Sequence, residues 1–158
     1  MSALDDLAGE RVVSETAQEG ADAVATWIAA QSRRAYGDHG SFSIALSGGS
    51  TPRMLNELHG AELHGALDRV LRRYVRAELL VIDDFALLAM DPAQAKLAFQ
   101  VISERYDYRR PTAITTNRPF KDWTKVFPDA LNAQVIAERL TERAETFVFE
   151  GKGYRDPR

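Results

Sequence analysis

Leu79-Leu80-Val81-Ile82-Asp83-Asp84-Phe85 is the stretch on which the fold turns. Four apolar residues in a row, two of them β-branched, suit a strand buried on both faces. That pattern belongs to a parallel sheet rather than to a half-solvated antiparallel one. The run then stops at two carboxylates. Ligands of open α/β sheets bind at the carboxyl ends of the strands, so Asp83 and Asp84 fall on the ligand edge. One carboxylate there can hold a Mg2+ with its water shell, and the next can orient a water for attack on a phosphoryl group. Adjacent acids are also ordinary turn residues, and the motif alone leaves that reading open.

Reading outward, residues 67–76 form an arginine-rich helix before this strand. After it, Asp91-Pro92-Ala93-Gln94 offers an acidic N-cap, a proline at the first helical position and a glutamine at the third. This predicts a helix to residue 108 with Leu97, Val101 and Ile102 facing the core. Farther upstream, Ala17, Ala21, Val24 and Ile28 share one face of a helix over 15–36. Phe42-Ser43-Ile44-Ala45-Leu46 reads as a strand over 42–47, followed by a helix over 52–59. Downstream, Pro111 precedes a strand over 112–116. Leu131, Val135, Ile136 and Leu140 mark a helix over 131–144, and 146–149 is a last strand. Leu-His-Gly-Ala occurs at 58–61 and again at 63–66. A five-residue period fits neither helix nor strand, so this stretch reads as a linker. Strands separated by helices predict a parallel sheet with right-handed crossovers.

Three further groups carry chemistry. In Ser47-Gly48-Gly49-Ser50-Thr51-Pro52, two glycines let the backbone approach a ligand. The hydroxyls of Ser47, Ser50 and Thr51 and the start of the next helix can meet an oxyanion. A capped tight turn would read the same way. It is not GxxxxGK[ST], and no Gly-Lys-Ser or Gly-Lys-Thr occurs in the chain. Thr115-Thr116-Asn117 ends a strand that, in a parallel sheet, would sit beside Asp83 and Asp84 and touch a phosphate or its water. Arg139, on the 131–144 helix, is of the type that can reach a neighbour's nucleotide, although most helical arginines are merely solvated.

Composition narrows the field. The chain has 158 residues, no cysteine and three histidines, so disulfides, thiolate catalysis and zinc–thiolate sites are excluded. One domain is expected at this length. No apolar run reaches the roughly 18–20 residues that span a bilayer, and MSALDDLAGE has no signal-peptide character. The expectation is a cytoplasmic protein with no membrane contact. Charge is uneven: residues 1–65 hold 4 basic and 9 acidic side chains, and residues 66–158 hold 16 and 14. The second half is too weakly positive for a nucleic-acid footprint on charge alone.

The residues from Leu67 to Arg155 together resemble the C-terminal part of the IstB/DnaC family of AAA+ ATPases. Besides Leu79–Phe85 as Walker B, the resemblance is carried by Leu67–Arg73, Val101–Tyr106, Thr115-Thr116-Asn117-Arg118-Pro119-Phe120, Trp123, Val126–Asp129 and Gly151–Arg155. It implies that Asp83 coordinates Mg2+, Asp84 positions the attacking water, Asn117 is sensor 1 and Arg139 is a trans-acting arginine finger. It also implies ATP, or another phosphate-bearing small molecule, as ligand, with DNA or a transposase as further contacts. The part from Arg11 to Leu58 resembles 6-phosphogluconolactonases and their glucosamine-6-phosphate isomerase relatives. Phe42–Arg53 carries that match, and it implies sugar-phosphate binding by Ser47–Thr51.

Taken together, these resemblances describe a single hybrid α/β domain, lactonase-like over 1–62 and ATPase-like over 63–158, joined near Gly60–Ala66. Neither catalytic set is complete: the Walker A lysine and the lactonase acid–base segment are both missing from the sequence. The expected fold is a P-loop/Rossmann-like, three-layer α/β/α sandwich with a four-stranded parallel sheet. Its expected order is 4-1-3-2, with 42–47 between 112–116 and 146–149, and 79–83 at the edge. The expected function is nucleotide binding with hydrolysis impaired or absent. A lactonase fragment and a scaffold without ligand are the alternatives.

Overall fold

A computed structural model describes residues 9–14, 17–47 and 51–149. The elements in order are β1 (Gly9–Ser14), α1 (Ala17–His39), β2 (Ile44–Ser47), α2 (Thr51–Leu63), α3 (Leu67–Arg76) and β3 (Leu79–Ile82). They continue with α4 (Pro92–Asp107), β4 (Thr112–Ile114), a 3-10 turn (Phe120–Lys125), α5 (Ala130–Thr141) and β5 (Ala144–Phe149). Described residues between Ser43 and Leu140 form one compact unit, and those before Ser43 and after Leu140 form another. Helix α2 runs through most of the stretch read as a linker.

In the first unit, β2, β3 and β4 form a parallel sheet in that order. Leu80 faces Ala45 on one side and Thr112 on the other. Leu79, Leu80 and Ile82 have no exposed surface, as the apolar run requires. The expected order 4-1-3-2 is therefore corrected. The strand carrying Asp83 is central in its sheet rather than at an edge, and β2 pairs with it rather than with β4. A strand buried on both faces gains most from neighbours on both sides, since an edge would leave a row of backbone groups unpaired. In the second unit, β5 pairs in parallel with β1, from Gly9↔Ala144 to Ser14↔Phe149. Its expected partner, 42–47, lies in the other sheet. Strand β1 was not expected at all.

Helices α2, α3 and α4 pack on one another. Their apolar faces contribute Met54, Leu55, Leu58, Leu71, Val75, Leu97 and Val101 to one core, which Trp123 and Ile136 join. Helix α4 begins as its sequence requires. Asp91 accepts from the Gln94 N–H at 2.8 Å, and the Gln94 side chain accepts from the Asp91 N–H at 3.2 Å, a complete capping box. The two Leu-His-Gly-Ala copies serve different ends. Gly60 lies within α2, whereas Gly65 has φ +67° just past its C-terminus, the left-handed position that glycine fills without strain. Between α2 and α3, Glu57 accepts from the Tyr74 hydroxyl at 2.5 Å and from Arg73. The Tyr74 hydroxyl and the Arg73 guanidinium hold the Glu57 carboxyl below its usual range.

Arg105 is the one buried arginine among the described residues, at 1% exposure. Its hydrogen bonds go to neutral acceptors, and Glu78 is the nearby carboxylate that acts on it through charge. Its guanidinium donates to the carbonyls of Tyr74 (2.6 Å), Val75 (3.0 Å), Ala77 (2.9 Å) and Pro111, and to the Thr112 hydroxyl at 2.9 Å. These groups are the last carbonyls of α3 and the lead-ins to β3 and β4. A cation at a helix C-terminus satisfies orphan carbonyls and opposes the negative dipole end. Burial, with Arg110 adding to it, pushes the Arg105 pKa down to about 10, so the group remains charged at neutral pH.

Helix α4 ends in a left-handed residue, Arg109, with φ 52°. Its N–H donates to the Tyr106 carbonyl at 3.0 Å, and the Arg110 N–H donates to that of Arg105 at 2.8 Å. Glycine suits this position, and the Arg109 side chain is exposed. Arg109→Gly is therefore expected to stabilise the fold by about 0.5–1 kcal/mol. A urea melt in which the midpoint falls instead would contradict it.

Candidate functional site

The site is built at the carboxyl end of β3. Asp83 and Asp84 follow the strand directly and are exposed, while Phe85 and Ala86 are fully buried. The chain therefore turns sharply between the acids and the core. It does so through two left-handed residues, Asp84 at φ 53° and Ala86 at φ 58°. Aspartate tolerates that conformation. For alanine it costs roughly 1–2 kcal/mol, which the surroundings must supply.

They do so from the segment after β4. The Thr115 hydroxyl donates to Asp83 Oδ1 at 2.5 Å and accepts from the Asp84 N–H at 3.0 Å. Its carbonyl accepts from the Phe85 N–H at 2.9 Å, and its N–H donates to the Ile82 carbonyl at 3.0 Å. Thr115 thus fixes both acids, and the expectation that Thr115-Thr116-Asn117 lies beside Asp83 and Asp84 holds for Thr115. Asn117 is exposed in the loop two residues farther on. The guanidinium of Arg118 donates to the carbonyls of Ala86 at 3.0 Å and Leu87 at 3.3 Å.

Beneath this turn lies an aromatic cluster. The ring of Phe85 meets Trp123 edge-on with centroids 5.0 Å apart, and Phe120 meets Trp123 at 4.9 Å. Phe127 lies 6.0 Å from Phe85. The Trp123 indole N–H donates to the Arg118 carbonyl at 3.2 Å, and the Met90 N–H donates to that of Val126 at 2.9 Å. The acidic turn and the segment after β4 are thus joined by hydrogen bonds at three places and by the contacts of the Phe85 ring with Trp123 and Phe127. Arg118 and Trp123 received no site role from the sequence. The signal was the spacing of Phe120, Trp123 and Phe127, three and four residues apart, which puts aromatic side chains on one side of a helical turn.

Arg139 is placed elsewhere. Its guanidinium lies over the rings of Phe99 (5.7 Å) and Tyr106 (5.3 Å), both on α4, and its Nη1 is buried without a hydrogen-bond partner. Cation–π packing accounts for that position. Of the expected phosphate-binding residues, Ser47 ends β2 and Thr51 opens α2, while Gly48, Gly49 and Ser50 lie outside the described residues. Among the described residues, no group of three or more His, Cys, Asp or Glu gathers in a way that could hold a metal by itself. No described helix is long and apolar enough to cross a membrane.

A family model described as IstB-like ATP binding protein matches residues 20–158. The chain is 38% identical over 102 residues to the ATP-binding protein of insertion sequence IS232 from Bacillus thuringiensis subsp. berliner. That alignment covers 65% of this chain and 40% of the relative. Against the ATP-binding protein of insertion sequence IS5376 from Geobacillus stearothermophilus, identity is 33% over 102 residues, covering 65% and 40%. The chain thus spans about two fifths of the length of these relatives. The crystal structure of the DnaC helicase loader superposes with a TM-score of 0.58 at 17% identity, over 94% of this chain and 82% of that one. That likeness is one of fold. The family match, from residue 20 to 158, spans Gly60–Ala66 and most of the 1–62 segment, and so gives the lactonase-like reading and the hybrid no support.

Proposed function

The chain belongs to the IstB-like ATP-binding protein family, and from that premise we propose that it is a nucleotide-binding module that takes ATP with Mg2+ at the carboxyl end of β3 and hydrolyses it poorly or not at all. The observation that carries this reading is the Thr115 brace. It holds two adjacent carboxylates on the ligand edge of a parallel sheet, where a metal–phosphate complex would meet them.

The donor set suits Mg2+, which prefers one or two carboxylates with retained water. Asp83, exposed and steadied by Thr115, would hold the ion, and the ion would supply charge neutralisation for the phosphates. Asp84 would orient a water, with Asn117 close to the terminal phosphate. Ser47, Gly48, Gly49, Ser50 and Thr51 would cradle phosphate oxygens at the start of α2. Arg139 could act as a finger only by leaving the faces of Phe99 and Tyr106. The missing Gly-Lys-Ser/Thr is the ground for poor hydrolysis, because no lysine from such a loop clamps the β- and γ-phosphates. The relatives are ATP-binding proteins of insertion sequences, which supports DNA or a transposase as a partner and a cytoplasmic setting.

The test is an ATP titration with and without Mg2+, alongside a phosphate-release assay. Binding is expected to be weak, to tighten when Mg2+ is added, and to loosen with salt. Asp83→Ala should remove the Mg2+ effect, and Gly49→Val should abolish binding by denying the phosphates their approach to the backbone. Phosphate release should stay at the uncatalysed rate. The proposal fails if the wild type binds no ATP at millimolar concentration, or if it turns ATP over robustly.

A further inference from the structure

The acidic turn is held from two sides, and Thr115 accounts for only one of them. Thr115 secures Asp83, Asp84 and Phe85. The other half of the turn, Ala86 and Leu87, points its carbonyls at a single side chain, Arg118, whose Nε and Nη2 take one each. We propose that Arg118 is a positioning residue for the nucleotide site. It clamps the 86–87 carbonyls so that Asp84 stays in the left-handed conformation that aims its carboxylate at the ligand edge. This rests on the nucleotide-binding reading above and deepens it.

Three observations support the clamp. First, the turn needs one. Asp84 and Ala86 both have positive φ, and such residues persist only where the surroundings over-determine them. The one backbone hydrogen bond described within the turn, from the Leu87 N–H to the Asp84 carbonyl, is long at 3.3 Å. Second, Arg118 is itself anchored. Its N–H donates to the Thr116 hydroxyl at 3.2 Å, and its carbonyl accepts from the fully buried Trp123 at 3.2 Å. Third, the guanidinium is the right group. Its planar fork delivers two charge-assisted hydrogen bonds to adjacent carbonyls, which a point-charge ammonium cannot match. A solvated surface arginine would have no reason to be half-buried with both bonds directed at one turn.

The experiment compares wild type, Arg118→Ala and Arg118→Lys by amide hydrogen exchange and by ATP titration with and without Mg2+. With the clamp removed, exchange at Leu87 should quicken by roughly tenfold or more. The Thr115 amide, bonded to Ile82, should keep its protection. In the same variant, the tightening of ATP binding by Mg2+ should shrink by roughly tenfold, the scale seen when an outer residue that orients a metal ligand is lost. Binding without Mg2+ should change little. Arg118→Lys should recover part of both effects. Unchanged exchange at Leu87 would overturn the clamp, and so would an equal rise at Leu87 and Thr115, which marks general loosening. A wild type that binds no ATP sinks the nucleotide reading instead, and the exchange data alone then decide whether Arg118 holds the turn. Mg2+-dependent binding that survives intact in Arg118→Ala would overturn its role in the site.

Discussion

Arg105→Met is expected to destabilise the unit between Ser43 and Leu140 by roughly 3–5 kcal/mol, because several buried acceptors lose their donor at once. Methionine fills much of the volume, so the loss is not mainly a cavity. It comes from the carbonyls of Tyr74, Val75, Ala77 and Pro111, which the guanidinium satisfies and methionine cannot. Each buried acceptor left unpaired costs about 1–3 kcal/mol, and water reaching some of them keeps the total below the simple sum. Arg105→Lys should recover only part of the loss, because one ammonium cannot reach the end of α3, the Pro111 carbonyl and the Thr112 hydroxyl together. Urea denaturation followed by far-ultraviolet circular dichroism measures this directly. A midpoint for Arg105→Met within the error of wild type would show that these carbonyls need no cation.

Trp123→Ala is expected to cost about 3–5 kcal/mol, as for other large aromatic truncations in a core. Trp123 has no exposed surface and touches Phe85, Phe120 and Phe127. Its removal opens a cavity directly under the acidic turn. Trp123→Phe separates two contributions. It keeps most of the ring packing and removes the indole N–H donated to the Arg118 carbonyl, so its loss should be near 1–2 kcal/mol. Calorimetry suits this pair, since fluorescence would lose the tryptophan of this unit and keep only Trp27 of the other. Equal losses for the two variants would mean that the ring packing contributes nothing beyond the hydrogen bond.

Both predictions concern residues to which the sequence assigned no packing or hydrogen-bonding role, and the reason is physical. A buried arginine reads locally like any other helical arginine. Arg105 follows Glu104 on a helix whose exposed face is also charged, and only the arrival of the α3 C-terminus and of Pro111 gives it four carbonyls. The role of Arg118 is equally non-local. Its backbone belongs to a turn that any Asn-Arg-Pro would make, and its partners lie about thirty residues earlier.

What the sequence determined by itself was set by short-range chemistry. The buried run at β3, the bounds of α3 and the capping box of α4 depend on residues within one or two turns of each other. They came out as the residues dictate, as did the carboxylates at the strand's end. Tertiary structure decided which strands are neighbours. Periodicity says that a strand is buried but not what lies beside it, so 79–83 was expected at an edge, whereas β3 stands in the middle of its sheet. It also decided that Arg11, Val12 and Val13 make a strand. Three such residues after a glycine carry little local signal, and only the register of β1 against β5 fixes them as extended. The linker reading of 58–66 failed for the same reason. Glycine weakens a helix by only about 1 kcal/mol, and burial of Met54, Leu55 and Leu58 against α3 and α4 outweighs that cost, carrying α2 on to Leu63.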